Sequence, residues 1–245
     1  MITSKQNSVI KRIKKLQQRK HRKKEQKFII EGFHLIEEAV KSNWVVETII
    51  KTENTESLNY LGSEQVMIVS SSVFAYLSTT ETPQGILAVV QMKTSLNYKG
   101  DKLLLLDGVQ DPGNVGTLIR TADAAGFSAV VLGKGSADIY NDKTVRATQG
   151  SLFHLPIMSV DLMEEIPYLQ NEGYFICVTT LEESTDYKSV NMDKPFALVM
   201  GNEGAGVQSG IQQISDIRVK IPIFGKAESL NVAVAAGILM YEFTN

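Results

Sequence analysis

Residues 103–133 read LLLLDGVQDPGNVGTLIRTADAAGFSAVVLG, and this stretch decides the architecture. Four successive leucines show no polar alternation, as expected of a strand covered on both faces in a parallel sheet. The segment NVGTLIRTADAAG then has helical periodicity and stops at Gly126. AVVLG (129–133) reads as a second buried strand. Working outward, KTVRATQG reads as a helix, PIMSV as a strand, and LMEEIPYLQNEG as a helix interrupted by Pro167. YFICVTT (174–180), FALVM (196–200) and IRVKIPI (217–223) add extended pieces, and SLNVAVAAGILMYEF (229–243) closes the chain as a helix. Such alternation predicts a doubly wound α/β domain over residues 102–245.

Upstream, the polar stretch KTSLNYKGD (93–101) lacks periodicity and reads as a connection, with the linker placed at 97–101. Residues 1–96 form a smaller α/β unit. Its strands are expected at 28–30, 45–51, 66–70 and 85–92, with helices at 33–41 and 72–78. Hydrophobic residues make up 43% of the 245, enough for packed cores without disulfides. The single cysteine, Cys177, falls in an apolar run and is expected to be a buried thiol. The amino-terminal end is polar, and no apolar run approaches the ~20 residues of a membrane span. An intracellular, cytoplasmic chain with no membrane partner is expected.

The net charge of −2 hides an asymmetry. Residues 1–27 hold eleven of the 25 basic residues and one acid, Glu25, so a +10 segment leads a −12 body. Within it, VIKRIKKL places Val9, Ile13 and Leu16 on one helical face, with basic residues between. That arrangement suits a polyanionic partner or, more plainly, a solvated helix face. Nucleic acid would be met by Lys11, Arg12, Lys15, Arg19, Arg22 and Lys23. Arg146, in KTVRATQGS, is either a further RNA contact or a surface helix charge.

In open α/β sheets ligands bind at the carboxyl ends of the strands. Four loops fall there: DGVQDPGNVGTLIR, TTLEE, GNEGAGV and IPIFGKAESLN. Their glycines match neither G-x-G-x-x-G nor a P-loop, which opposes a nicotinamide or ATP site. One cysteine and three scattered histidines give no metal pattern, so no metal is expected. His154, between Phe153 and Leu155, reads as a packed histidine. GNEGAGV (201–207) carries a carboxylate, Glu203, and no Lys or Arg, so it is not built for phosphate. The polar residues gathered at these ends are Asn114, Arg120, Glu203, Ser229 and Asn231. Four of them have a structural alternative: helix caps for Asn114 and Ser229, an Asp123 pair for Arg120, and a solvated acid for Glu203.

The blocks DGVQDPGNVGTLIRTADAAGF, LVMGNEGAGV and IPIFGKAESLNVAVAAGI resemble, in order, the three motifs of the SpoU (TrmH-like) RNA ribose 2′-O-methyltransferases of the SPOUT superfamily. The resemblance covers about 102–245 and is nearest to the two-domain, YsgA-like rRNA type. It implies a SPOUT fold with a deep trefoil knot, an L30e-like substrate-binding domain at the amino terminus, and a homodimer. It also implies S-adenosylmethionine as cofactor, held by Thr179, Thr180, Leu181, Gly201, Asn202, Ile221 and Leu230. Asn114, Arg120, Glu203, Ser229 and Asn231 would form the catalytic set, with Arg120 at the reacting hydroxyl. The substrate implied is structured RNA, with 23S rRNA favoured over tRNA. A tRNA methyltransferase, or a non-catalytic RNA-binding protein on the same fold, are the rival readings.

Overall fold

The computed structural model describes residues 1–56, 65–93, 100–181, 183–193 and 195–244. The chain divides into two compact units: residues 1–93 with 138–153, and residues 94–137 with 154–245. Residues 138–153 therefore belong with the amino-terminal unit, which a single sequence boundary does not express. Most of the expected linker, 97–99, lies outside the described residues.

The first unit begins with two helices, α1 (Ser8–Lys15), where a basic amphipathic helix is expected, and α2 (Arg19–Glu25). Asn7 caps α1 by accepting from the Val9 and Ile10 amides. The buried face of α1 is Ile10, Ile13 and Leu16, while Val9 stays 42% exposed. Ile13 and Leu16 are buried as expected, and Ile10 takes the place expected of Val9. Helix α2 ends on Gln26 in the left-handed conformation, φ 54°. After β1 (Lys27–Glu31) come α3 (Phe33–Lys41), β2 (Val46–Thr52), β3 (Gln65–Val69), α4 (Ser71–Leu77) and β4 (Ile86–Gln91). The sheet order is β1-β4-β2-β3, with only the β2–β3 pair parallel. Central β4 is buried at five successive residues, because both its faces are covered.

Arg22 is part of this framework, not of a nucleic-acid surface. It is only 3% exposed. One guanidinium nitrogen donates to the Leu16 and Gln17 carbonyls, left unpaired where α1 ends, and the other donates to Asp138 at 2.9 Å. Tyr140 then stacks near Phe28, with ring centroids 4.7 Å apart, and the Trp44 indole donates to the Phe153 carbonyl. These contacts seat 138–153 in the first unit. Removing a partner from a buried ion pair leaves the other charge stranded. Arg22→Ala is accordingly expected to cost about 3 kcal/mol, read as a lower urea midpoint.

The second unit carries seven parallel strands in the order β7-β6-β5-β10-β8-β11-β9. In chain order its elements are β5 (Lys102–Asp107), α5 (Pro112–Ala124), β6 (Ala129–Leu132), β7 (Ile157–Ser159), α7 (Leu162–Asn171), β8 (Phe175–Thr179), β9 (Thr185–Asp186), β10 (Phe196–Gly201), α8 (Ser209–Ile214), β11 (Ile217–Lys220) and α9 (Val232–Glu242). Helix α6 (Asp142–Thr148) falls in the segment given to the first unit. Leu103 and Leu105 pack with Ile166, Leu169 and Ile211 on one face. Leu104 and Leu106 point the other way and are equally buried. Helix α7 is not interrupted: it runs through Pro167, whose ring is on the exposed face, while Leu162, Ile166 and Leu169 pack the other face onto the sheet. Cys177 is buried in β8, where desolvation pushes its thiol up to about 12.

Candidate active site

Strands β5, β10, β8 and β11 are successive neighbours and end together, at Asp107, Gly201, Thr179 and Lys220. The loops leaving them surround a cavity of about 690 Å³, within the ~300–1,000 Å³ common for small-molecule sites. Its walls include Thr179, Thr180, Leu181, Gly201, Asn202, Ile221 and Leu230, the whole expected cofactor set. Glu203, Ser229 and Asn231 line it too, whereas Asn114 and Arg120 do not.

Asn114 reaches this wall through hydrogen bonds. Its amide nitrogen donates to Glu203 at 3.0 Å, and its oxygen accepts from the Asn231 amide at 3.1 Å. Asn231 in turn caps α9, accepting from the Ala233 and Val234 amides. The relay Glu203–Asn114–Asn231 thus ties the start of α5 to two loops that lie 89 and 117 residues further along the chain. Neither proposed cap at Asn114 or Ser229 exists. Asp111 caps α5, with Pro112 in the first turn, and Ser229 lies ahead of the Asn231 cap. Ser229 is exposed and has no hydrogen-bond partner among the described residues.

Glu203 is a clamp rather than a solvated acid. Its carboxylate accepts from the Gln110 and Asp111 backbone amides as well as from Asn114. Burial pushes this carboxyl up, but the Asn114 side chain and the backbone amides hold it, net, below its ordinary value of 4.5. A depressed carboxyl contributes its stabilisation above the unfolded value and loses it as pH falls through the folded one. Cofactor affinity is therefore expected to hold down to about pH 4.5 and to weaken further in acid. In calorimetric titrations across pH, Glu203→Gln should show the weakened affinity already at neutrality.

Asn202 is committed to its own loop. Its oxygen accepts from the Gly204 and Ala205 amides and its nitrogen donates to the Gly108 carbonyl. Gly201 has a different task from admitting a ligand. A Cβ there would lie 2.2 Å from the Gly206 carbonyl carbon and 2.3 Å from the Val207 nitrogen. The glycine lets the loop fold back on its own strand, where Asn202 and Gly206 exchange backbone hydrogen bonds. Two residues escaped the sequence reading. Asp107, 2% exposed, accepts from both the backbone and side-chain amides of Gln208, fixing the far end of the glycine loop. An acid closing four buried leucines was the available signal.

Arg120 projects from α5 about 9 Å and some 240° round from Asn114. It is exposed and has no partner among the described residues. The anticipated Asp123 pair is taken elsewhere: Asp123 meets His154 at 2.7 Å. His154 is accordingly an exposed residue hydrogen-bonded to Asp123, not a packed one. Among the described residues no cluster of three His, Cys, Asp or Glu could hold a metal, and no helix is long and apolar enough to cross a membrane.

The donor set fits S-adenosylmethionine. Ile221, Val219, Leu230 and Leu239 offer apolar wall for a nucleoside, while Thr180 and Ser229 supply hydroxyls. Carboxylates at Glu203 and Glu228 suit its cationic groups, and among the described residues Lys220 is the one cation on the wall. Residues 101–241 match the SpoU rRNA Methylase family, and residues 7–88 match the MRM3-like substrate binding domain.

The chain belongs to the SpoU rRNA methylase family. It is 45% identical over 241 residues to the 23S rRNA (guanosine(2553)-2′-O)-methyltransferase RlmP of Bacillus subtilis, covering 98% of this chain and 97% of that protein. An AdoMet-bound rRNA methyltransferase from Sinorhizobium meliloti superposes with a TM-score of 0.90 at 33% identity, over 98% of this chain and 95% of that one. The SpoU methyltransferase AviRb of Streptomyces viridochromogenes, in complex with AdoMet, does so with a TM-score of 0.89 at 28% identity, over 98% and 97%. As a SpoU-family member the chain is a methyltransferase that uses S-adenosylmethionine.

Proposed function

We propose that this chain methylates a ribose 2′-hydroxyl of 23S rRNA. The observation that carries the reading is the Glu203–Asn114–Asn231 relay, which closes three strand-end loops around a cavity suited to the methyl donor. The name of the RlmP relative supports the rRNA and the ribose oxygen. When bound, S-adenosylmethionine supplies an already activated methyl group. The protein must then position a sugar oxygen and ease its loss of a proton. Thr179, Thr180, Leu181, Gly201, Asn202, Ile221 and Leu230 hold the cofactor, and the free Ser229 hydroxyl contacts a bound group. Glu203, with a depressed pKa and several donors on its oxygens, is a poor base and a good clamp. The Arg120 guanidinium stabilises the alkoxide that develops on the sugar.

The same reading makes the enzyme a homodimer with a knotted catalytic domain, acting in the cytoplasm. Helix α9 supports the dimer, because it is apolar all round. Ala236, Leu239 and Met240 are buried, but Val234, Ile238 and Tyr241 leave 54%, 37% and 51% of their surfaces in solvent. A second copy is the occupant of this stripe. Val234→Glu combined with Ile238→Glu is expected to turn a sedimenting dimer into a monomer with native circular dichroism. A wild-type protein that sediments as a monomer would reject the dimer.

RNA approaches the first unit, which is L30e-like, through exposed Lys11, Lys15 and Lys23. Arg12 and Arg19 are partly occupied by Glu25 and Asp138, at 2.7 and 3.6 Å. Arg146 pairs with Asp142 and bonds the Thr79 hydroxyl, so it is the weakest of these contacts. The deciding experiment maps 2′-O-methyl sites in rRNA and tRNA from cells with and without the gene. Loss of one 23S rRNA ribose methyl supports the assignment, loss of a tRNA methyl redirects it, and no change removes it.

A further inference from the structure

The loop between β11 and α9 carries a feature that neither cofactor nor clamp uses. Phe224 is 97% exposed, far beyond any other large apolar side chain away from the chain end among the described residues. Its neighbour Ile223 lines the cavity, as do Glu228 through Val232 further along the same loop. The ring therefore stands at the rim of the cavity, free of packing. Next to it, a Cβ at Gly225 would meet nothing within 4 Å, so the flank beside the ring is open. Lys226 is exposed two residues on, and Lys220 is exposed on the cavity wall, against a single acid in the loop, Glu228.

We propose that Phe224 is the platform on which the base of the target nucleotide stacks, with Lys226 beside it meeting a flanking phosphate. The inference rests on the RNA reading above. For its ribose to reach a methyl donor in the cavity, a nucleotide must be drawn out of its stack. A free aromatic face at the rim replaces the lost stacking, whatever the base. The α9 stripe of Val234, Ile238 and Tyr241 is a separate apolar surface, so the ring is not needed to complete it.

The test uses full-length Phe224→Ala, Phe224→Leu and Phe224→Trp enzymes on rRNA purified from cells lacking the gene. Phe224→Ala should raise KM for RNA about tenfold or more, the usual scale of a lost base–aromatic stack. Cofactor affinity by calorimetry and sedimentation should not change. Phe224→Trp should restore the low KM and Phe224→Leu should not. Leucine performing as well as phenylalanine, or variants that change the sedimentation coefficient, would assign the ring to protein packing and overturn the proposal. If wild type transfers no methyl to RNA, the functional reading fails with it. If wild type is active and Phe224→Ala has a normal KM, the stacking role alone fails.

Discussion

Arg120→Ala should lose about 10²–10³ in kcat while its affinity for S-adenosylmethionine stays within a few-fold of wild type. The split follows from where the side chain is and what it can do. Arg120 is absent from the cavity wall, so it cannot carry much cofactor binding. It is exposed and unpaired among the described residues, so its removal strands no buried partner and the fold should survive. A guanidinium does not give up its proton near neutrality, so its contribution is to charge that exists only as the methyl moves. An effect confined to the transition state lowers kcat and leaves ground-state binding alone.

Because Arg120 lies off its own cavity, its place of action in the proposed dimer can be read by mixing. Two inactive variants, Arg120→Ala and Asn231→Ala, are co-expressed and the mixed dimer is purified. If Arg120 serves the partner's cavity, the mixed dimer has one intact site and regains up to half the wild-type activity. If it serves its own, both sites stay broken. A fully active Arg120→Ala enzyme would remove the residue from the mechanism altogether.

What could be read from the sequence follows from the kinds of signal involved. The leucines of β5 and the apolar runs of β8 and β10 announced a buried parallel sheet because burial on both faces forbids alternation. The cavity wall was legible because strand-end loops are where such sheets bind, and the motif resemblance named its residues. Long-range pairings were not legible. Nothing local in RKHRKKE tells Arg22, which sits under the α1 terminus against Asp138, from its exposed neighbour Lys23. Likewise Asp123 has two candidates, Arg120 within its helix and His154 across the unit, and only the fold selects His154. The Val9 register failed for a smaller reason. Val9 and Ile10 are adjacent and both apolar, and the packing partners decide which of them turns inward.

The sharpest separation between loop and ligand lies in two neighbouring glycines. Gly201→Ala is expected to abolish measurable cofactor binding, a loss beyond about 100-fold, and to destabilise the second unit by about 3 kcal/mol or more. The added methyl would sit at 2.2–2.5 Å from three backbone atoms of Gly206 and Val207. Backbone cannot rotate away as a side chain can, and both ends of this loop are held. Asn202 and Gly206 bond each other's backbone, and Gln208 is gripped by buried Asp107. The conflict must therefore move β10 or open the loop. Either shift pulls Glu203 off Asn114 and unties the relay that reaches Asn231. Gly204 is the control. A Cβ there has the Asn202 side-chain oxygen as its nearest neighbour, at 3.7 Å, and its φ is not positive. Gly204→Ala should bind cofactor within a few-fold of wild type and melt within a degree or two of it. Calorimetric titration and thermal unfolding of both variants decide the point. Equal damage at 201 and 204 would mean that the glycines make room for the ligand, and intact binding in Gly201→Ala would mean that the loop does not hold the site together.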